Sequence, residues 1–204
     1  MENFNAMAYD FDTDKRIHRA KIIADKIREH IEPVVKKSAL EYGCGTGLVG
    51  LNLVDCFDSL LFVDSSPRML NQVKQKNPDA RILCADLMEN VPKNLKVDYI
   101  FSSLVLHHIK NTEDAFCRFY DMLSDGGRLI VVDIDEEDGS FHAKYPDFDG
   151  HNGFSHSYLN ELALKTGFKT AIIETFYRDI KVFNGNESLY SLFILDAIKE
   201  KCKI

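Results

Sequence analysis

Ser38-Ala39-Leu40-Glu41-Tyr42-Gly43-Cys44-Gly45-Thr46-Gly47-Leu48-Val49-Gly50 reads as a buried strand, a bare turn and the start of a helix. Residues 38–43 (SALEYG) are mostly apolar, as suits a strand covered on both faces. Alternating glycines follow, and Leu48, Val49, Leu51 and Leu53 then predict a helix. Glycine removes the side chains that would hold a ligand off the backbone, and amides at a helix start offer donors to a carboxylate or phosphate.

Four further runs share this apolar character: SLLFVD (59–64), ARILCA (80–85), VDYIFSSLVL (97–106) and GRLIVVDI (127–134). Strand-like runs alternating with helical ones predict a parallel sheet with helices on both faces. One helix is expected over about residues 14 to 32, with Ala20, Ile23, Ala24, Ile27 and Ile31 as its buried stripe and Pro33 ending or kinking it. Ser66-Pro67 reads as an N-cap and first helical residue, Thr112 as another helix start stopped at Asp125-Gly126-Gly127, and Ser157 as the cap of a short helix stopped by Gly167. FKTAIIETF (168–176) and SLYSLFILDAI (188–198) flank Asn184-Gly185-Asn186, a tight-turn signal, so they are expected to pair antiparallel. The expected class is α/β: a doubly wound, mostly parallel seven-stranded sheet with an antiparallel C-terminal hairpin strand.

The chain has 204 residues, which predicts one domain, and its 45% hydrophobic and 28% charged residues are ordinary globular values. Its net charge of −7 disfavours nucleic acid and anionic membrane as partners. Five scattered cysteines, Cys44, Cys56, Cys84, Cys117 and Cys202, form no metal or disulfide pattern. The polar start MENFNAMAYDFDTD is unlike a signal peptide, and no apolar run approaches the roughly 18 residues of a spanning helix, so a cytoplasmic location is expected.

Asp64 ends the second strand, 19 residues after Gly45, where an acid can accept hydrogen bonds from two ribose hydroxyls. The ligand should therefore contain a nucleoside. Gly45-Thr46-Gly47-Leu48-Val49-Gly50 also satisfies the dinucleotide fingerprint, so the turn alone leaves an NAD(P)-dependent oxidoreductase open.

From residue 38 to about 134 the chain resembles the class I S-adenosylmethionine-dependent methyltransferases. Glu41 to Gly47 meets the family's E/D-x-G-x-G-x-G loop, Asp64 its acid at the second strand's end, and Ala85-Asp86-Leu87 the element after strand three. Val97 to Phe101 with Leu104, Leu106, His107 and His108 looks like the fourth-strand motif, and Leu123 to Ile130 like L-x-x-G-G-x-L-x. The resemblance implies a Rossmann-like fold with S-adenosyl-L-methionine as cofactor. Glu41, Gly43, Gly45 and Gly47 would serve its methionine part, and Asp64 with Ser65 its ribose. Asp86 would take the adenine amino group, with Ala85, Leu87 and Met69 around the ring. Ser103 and Leu104 would lie near the transferred methyl, and Tyr9 would close over the cofactor. Residues 1–204 would form one methyltransferase domain, with 1–37 a helical cap, 38–134 the cofactor half and 135–204 the acceptor loop and hairpin.

Methyl transfer from a sulfonium is an in-line displacement that mainly needs alignment, with a base only when the acceptor carries a proton. The expected candidates are His107, His108, His151 and His156, although His107 and His108 at the end of an apolar strand also read as plain satisfied imidazoles. The aperiodic stretch 135–156, with Phe141, Tyr145, Phe148 and Phe154, is the candidate acceptor pocket. The acids at 133 and 135–138 with His142 lack a coordinating spacing, so no metal is expected. Residues 102–105 read Ser-Ser-Leu-Val, not the Asn/Asp-Pro-Pro-Tyr of base methylation. These features imply a small-molecule acceptor, a branch like that of ubiquinone and menaquinone biosynthesis, and a monomer or homodimer. A non-catalytic cofactor-binding module stays open.

Overall fold

The computed structural model describes residues 4–32 and 37–200. Pro33 and Cys202 lie outside the described residues. In chain order the elements are α1 (Phe4–Met7), α2 (Asp14–Arg28), β1 (Ser38–Tyr42), β2 (Ser59–Asp64), α3 (Pro67–Lys76), β3 (Arg81–Cys84), β4 (Val97–Ser103), α4 (Thr112–Met122), β5 (Leu123–Ile134), α5 (His156–Thr166), β6 (Phe168–Phe183) and β7 (Asn186–Lys199). They build one seven-stranded sheet in the order β3-β2-β1-β4-β5-β7-β6. β1 to β5 pair parallel, and β7 runs antiparallel to both of its neighbours. This is the expected α/β class.

Successive side chains of β5 go to opposite layers, as a pleated strand requires. Ile130, Val132 and Ile134 pack with Ile23 and Ile27 of α2. Leu129 and Val131 pack with Phe116 and Phe119 of α4 and Leu159 and Leu162 of α5. Each such side chain contributes about 1.5–3 kcal/mol by leaving water. Among the described residues no helix is long and apolar enough to cross a membrane.

Several local expectations differ from the structure. No α-helix follows Gly47; the chain makes two short 3-10 turns, Gly50–Asn52 and Val54–Cys56. Side chains claim the backbone groups a helix would need. Gly50 N donates to Glu41 Oε1 at 3.2 Å, and Arg28 donates at 2.6 Å to the Asn52 carbonyl, the acceptor that Cys56 N would use in an α-helix. α4 is capped by Asn111 rather than Thr112, and α5 by Ser155 rather than Ser157, each accepting from an amide three residues on. β5 starts directly after α4 and bulges against β4, with Gly126 at φ +79°. The C-terminal strands run further than expected, up to a two-residue turn in which Asn184 (φ +50°) and Gly185 (φ +78°) are both left-handed.

Candidate functional site

Parallel strands of an open α/β sheet leave a crevice beyond their carboxyl ends. Here it holds a cavity of 1220 Å³. Its floor is the turn after β1: Glu41, Gly43 and Gly45 line it, while Gly47 is buried behind the wall. Gly45, at φ +52°, is bare for a reason a side chain shows. A Cβ there would meet nothing nearer than Phe11 Cε1 at 3.9 Å, so the space above it opens into the cavity. At Gly43 a Cβ would lie 2.5 Å from a Val105 methyl, so that glycine serves packing.

The tips of β2 and β3 form the adjoining wall. Asp64 accepts from Gly45 N and Ser66 N, both at 2.8 Å, and thereby ties the turn to the end of β2. Burial pushes its pKa up, while those two amide bonds pull it down. Ser65, Met69, Ala85 and Asp86 also line the cavity, and Asp86 accepts from Met88 N at 2.8 Å and from the Tyr42 hydroxyl at 3.3 Å. Two expected contacts are displaced. Leu87 is fully buried in the core and Met88 takes the wall position; Tyr9 is 70% exposed and off the wall, and Phe11 is the aromatic that approaches the turn. The Asp12 carboxylate holds that segment down, meeting both the Thr46 hydroxyl and Lys76 at 2.5 Å.

Glu41 is buried, and burial pushes its pKa up to about 8, with the Gly50 amide opposing and Asp64 adding. Its Oε2 has no partner among the described residues. A carboxyl whose pKa is 4.5 unfolded and about 8 folded binds more protons in the folded state between those values. Its contribution to stability is therefore fully present below about pH 4.5 and is lost as pH rises towards 8, at up to about 1.4 kcal/mol per pH unit. Urea unfolding at several pH values between 5 and 8.5 should show that decline, and Glu41→Gln should flatten it. An equal decline in the variant would show that another group causes it.

Ser103, Leu104, His107 and His108 follow the tip of β4 and form the far end of the cavity with Phe141, His142, Lys144 and Tyr145 from the long loop. Leu104 sits at φ +57°, and its amide donates to Val132 O at 2.8 Å. His107 is almost fully buried. Its Nδ1 lies 2.6 Å from Asp133 Oδ1, and its amide donates to Asp133 Oδ2 at 3.2 Å. Burial alone would raise the Asp133 pKa, but the His107 imidazole and the amide bonds outweigh it and hold the pKa low. Burial, then the neighbouring His107, pushes His108 down to about 4 and His142 to about 3. Both are neutral near pH 7.

His151 and His156, expected as bases, are off the cavity wall. The loop's regular structure is limited to the 3-10 turn Ser140–His142 and a bridge between Asp135 and Phe154, so these rings help hold it in place. His151 Nε2 lies 3.0 Å from Ile109 O, and its amide donates to His107 O. His156 Nε2 lies 2.8 Å from Asp135 Oδ1. Phe154 is likewise buried in the core behind them. The partnership of Asp133 with His107 escaped the sequence reading. Asp133 directly follows Val132, the partner of Ser103, but His107 lies four residues past Ser103 in the 3-10 turn Leu106–His108, so the contact depends on how that turn folds back and no sequence signal marks it.

Comparison with known proteins places residues 40–129 in a match to the family model described as a methyltransferase domain. An uncharacterized methyltransferase of Mycobacterium bovis is 30% identical over 115 residues, covering 55% of this chain and 58% of the relative. A tRNA U34 carboxymethyltransferase of Shewanella denitrificans is 30% identical over 143 residues, 65% of this chain and 42% of the relative. The matches thus span only about half the length of these curated relatives. Phosphoethanolamine N-methyltransferase 2 of Haemonchus contortus, solved with S-adenosyl-L-methionine, superposes with a TM-score of 0.72 at 18% identity, over 98% of this chain and 61% of that one. That likeness establishes the fold.

Proposed function

We propose that this chain, whose residues 40–129 match a methyltransferase domain, moves a methyl group from S-adenosyl-L-methionine to a small molecule held at the histidine end of its cavity. The observation that carries the reading is the continuity of that cavity, from Gly45 and Asp64 at one end to His107 and His142 at the other. The residues present fit the cofactor. The space over Gly45 is open, and Asp64 retains lone pairs for two ribose hydroxyls. Asp86 would accept from the adenine amino group, with Met69, Ala85 and Met88 against the ring. When bound, the cofactor supplies a methyl group already activated by a positive sulfur.

The chain's own part is then mainly positional. Leu104, set by its bond to Val132, shapes the passage between the two ends. Phe141 and Tyr145 cover the acceptor end and exclude water. Asp133 keeps the proton on His107 Nδ1, so the Nε2 lone pair is available to take up an acceptor's proton. A small acceptor is favoured over tRNA because a polyanion would meet a chain of net charge −7.

Methyl-tritiated S-adenosylmethionine incubated with a small-molecule extract and, separately, with tRNA tests the acceptor class. Label is expected in the small-molecule fraction; label only in tRNA would overturn that class. Titration with the cofactor and with NADH tests the cofactor, and binding of NADH alone would sink the whole reading. Asp64→Asn, which keeps the carboxylate's shape, should weaken cofactor affinity about 10- to 100-fold, as loss of a charge-assisted hydrogen bond requires. Unchanged affinity would remove Asp64 from the ribose site.

A further inference from the structure

His107 and His108 beyond β4 and His142 from the 3-10 turn Ser140–His142 bring one ring nitrogen each to within 4.8 Å of one another. The cluster is held in place by its surroundings. Asp133 anchors His107 through Nδ1, which leaves Nε2 for a ligand. His142 is 5% exposed, stacks on Phe148 at 3.6 Å, and has a buried Nδ1 with no hydrogen-bond partner. Phe148 also meets the His108 ring edge-on at 5.5 Å. The loop can bring Phe148 this close because residue 150 is glycine: a Cβ there would lie 2.3 Å from His107 O and 2.5 Å from Phe148 Cζ.

We propose that His107, His108 and His142 bind a divalent transition-metal ion, zinc above all, with an open coordination position facing the acceptor end of the cavity. Three imidazoles and one open position form the ligand set of catalytic rather than structural zinc. Imidazole nitrogen suits zinc, copper and nickel far better than magnesium or calcium. A carboxylate on the remote nitrogen of a ligand, as Asp133 stands to His107, is the usual support that sets the tautomer and strengthens the donor. Tetrahedral zinc at about 2.0–2.1 Å from each nitrogen places the nitrogens about 3.3 Å apart, so the cluster closes by side-chain rotation over about 1.5 Å.

The site's existence does not depend on methyl transfer, but its role rests on that reading. The open position would take an acceptor thiol or hydroxyl. Its S–H or O–H bond breaks, the proton leaves to solvent, and the sulfur or oxygen lone pair bonds the ion, with no change of oxidation state. His107 Nε2 then serves as a ligand instead of a proton acceptor.

Chelator-stripped protein titrated with zinc by calorimetry, and with cobalt by visible absorption, tests the proposal. The expected result is one equivalent bound at about micromolar affinity or tighter, with cobalt bands of nitrogen coordination. His142→Phe keeps a ring against Phe148 but removes the nitrogens, so it should weaken binding at least tenfold. His108→Phe should do the same, and thermal melts of both variants report that they fold. Binding well below one equivalent, or affinity equal to the parent's in both variants, would overturn the site. Cofactor titration on the same stripped sample keeps the readings apart: protein that binds the cofactor but takes up no zinc overturns only the metal site, whereas protein that takes up zinc but binds no cofactor supports the metal site and overturns only the methyl-transfer reading.

Discussion

His107→Asn is expected to lower turnover by about two to four orders of magnitude while cofactor affinity stays close to that of the parent. The asparagine amide can occupy the place of imidazole Nδ1 and still donate to Asp133, whose carboxylate is fully buried. What disappears is Nε2, the nitrogen available to the acceptor as base or through an ion. Alanine would be the wrong variant, because removing the partner of a buried charge costs about 3–5 kcal/mol and would confuse inactivity with unfolding. Single-turnover assays with methyl-labelled cofactor, beside a cofactor titration, separate the two effects. Turnover near that of the parent would show that no group at His107 activates the acceptor.

Gly153→Ala should destabilise the protein by about 3–5 kcal/mol, a fall in Tm of about 6–20 °C at this chain length. Residue 153 sits at φ +76°, and a Cβ would lie 2.2 Å from Asp135 O, 2.6 Å from Asp135 C and 2.8 Å from Ile134 O. All three are backbone atoms at the end of β5, so nothing can swing aside. The strained segment is also the latch of the long loop, where Phe154 N donates to Ile134 O at 3.0 Å and Glu136 N to Phe154 O at 3.1 Å. Gly185→Ala is the control. It has a similar φ of +78° but no atom within 4 Å, so only the left-handed penalty of about 1–2 kcal/mol applies. Equal losses in the two variants would show that backbone conformation, and not the close approach to β5, sets the cost.

What could be read from the sequence follows from how local its causes are. β2 runs over Ser59–Asp64 as expected because both its faces are buried, so hydrophobicity marks its ends. Ser66-Pro67 and Asn184-Gly185 were legible because a cap or a tight turn is written in adjacent residues. The segment after Gly47 was not, because Arg28 and Glu41, remote in the chain, take its hydrogen bonds. The site divides in the same way. Asp64 and Asp86 could be placed on the cavity because strand tips face it by topology. His151 and His156 could not be excluded, since their partners Ile109 O and Asp135 become neighbours only when the loop folds back. Phe11 in place of Tyr9 reflects a coil, where no period says which side chain turns inward.

β7 is the last strand in chain order, yet it lies between β5 and β6. On a ribosome, β5 therefore emerges with one ladder edge unpaired, and β6 cannot reach its final place until β7 has been made. The route with least loop closure is for the two late strands to zip together about Asn184-Gly185 and then to dock as a unit, joining Arg128–Ile134 to Leu192–Ile198. During that interval the exposed edge of β5 can pair with another nascent chain, which makes it the place where misassembly at high expression would begin.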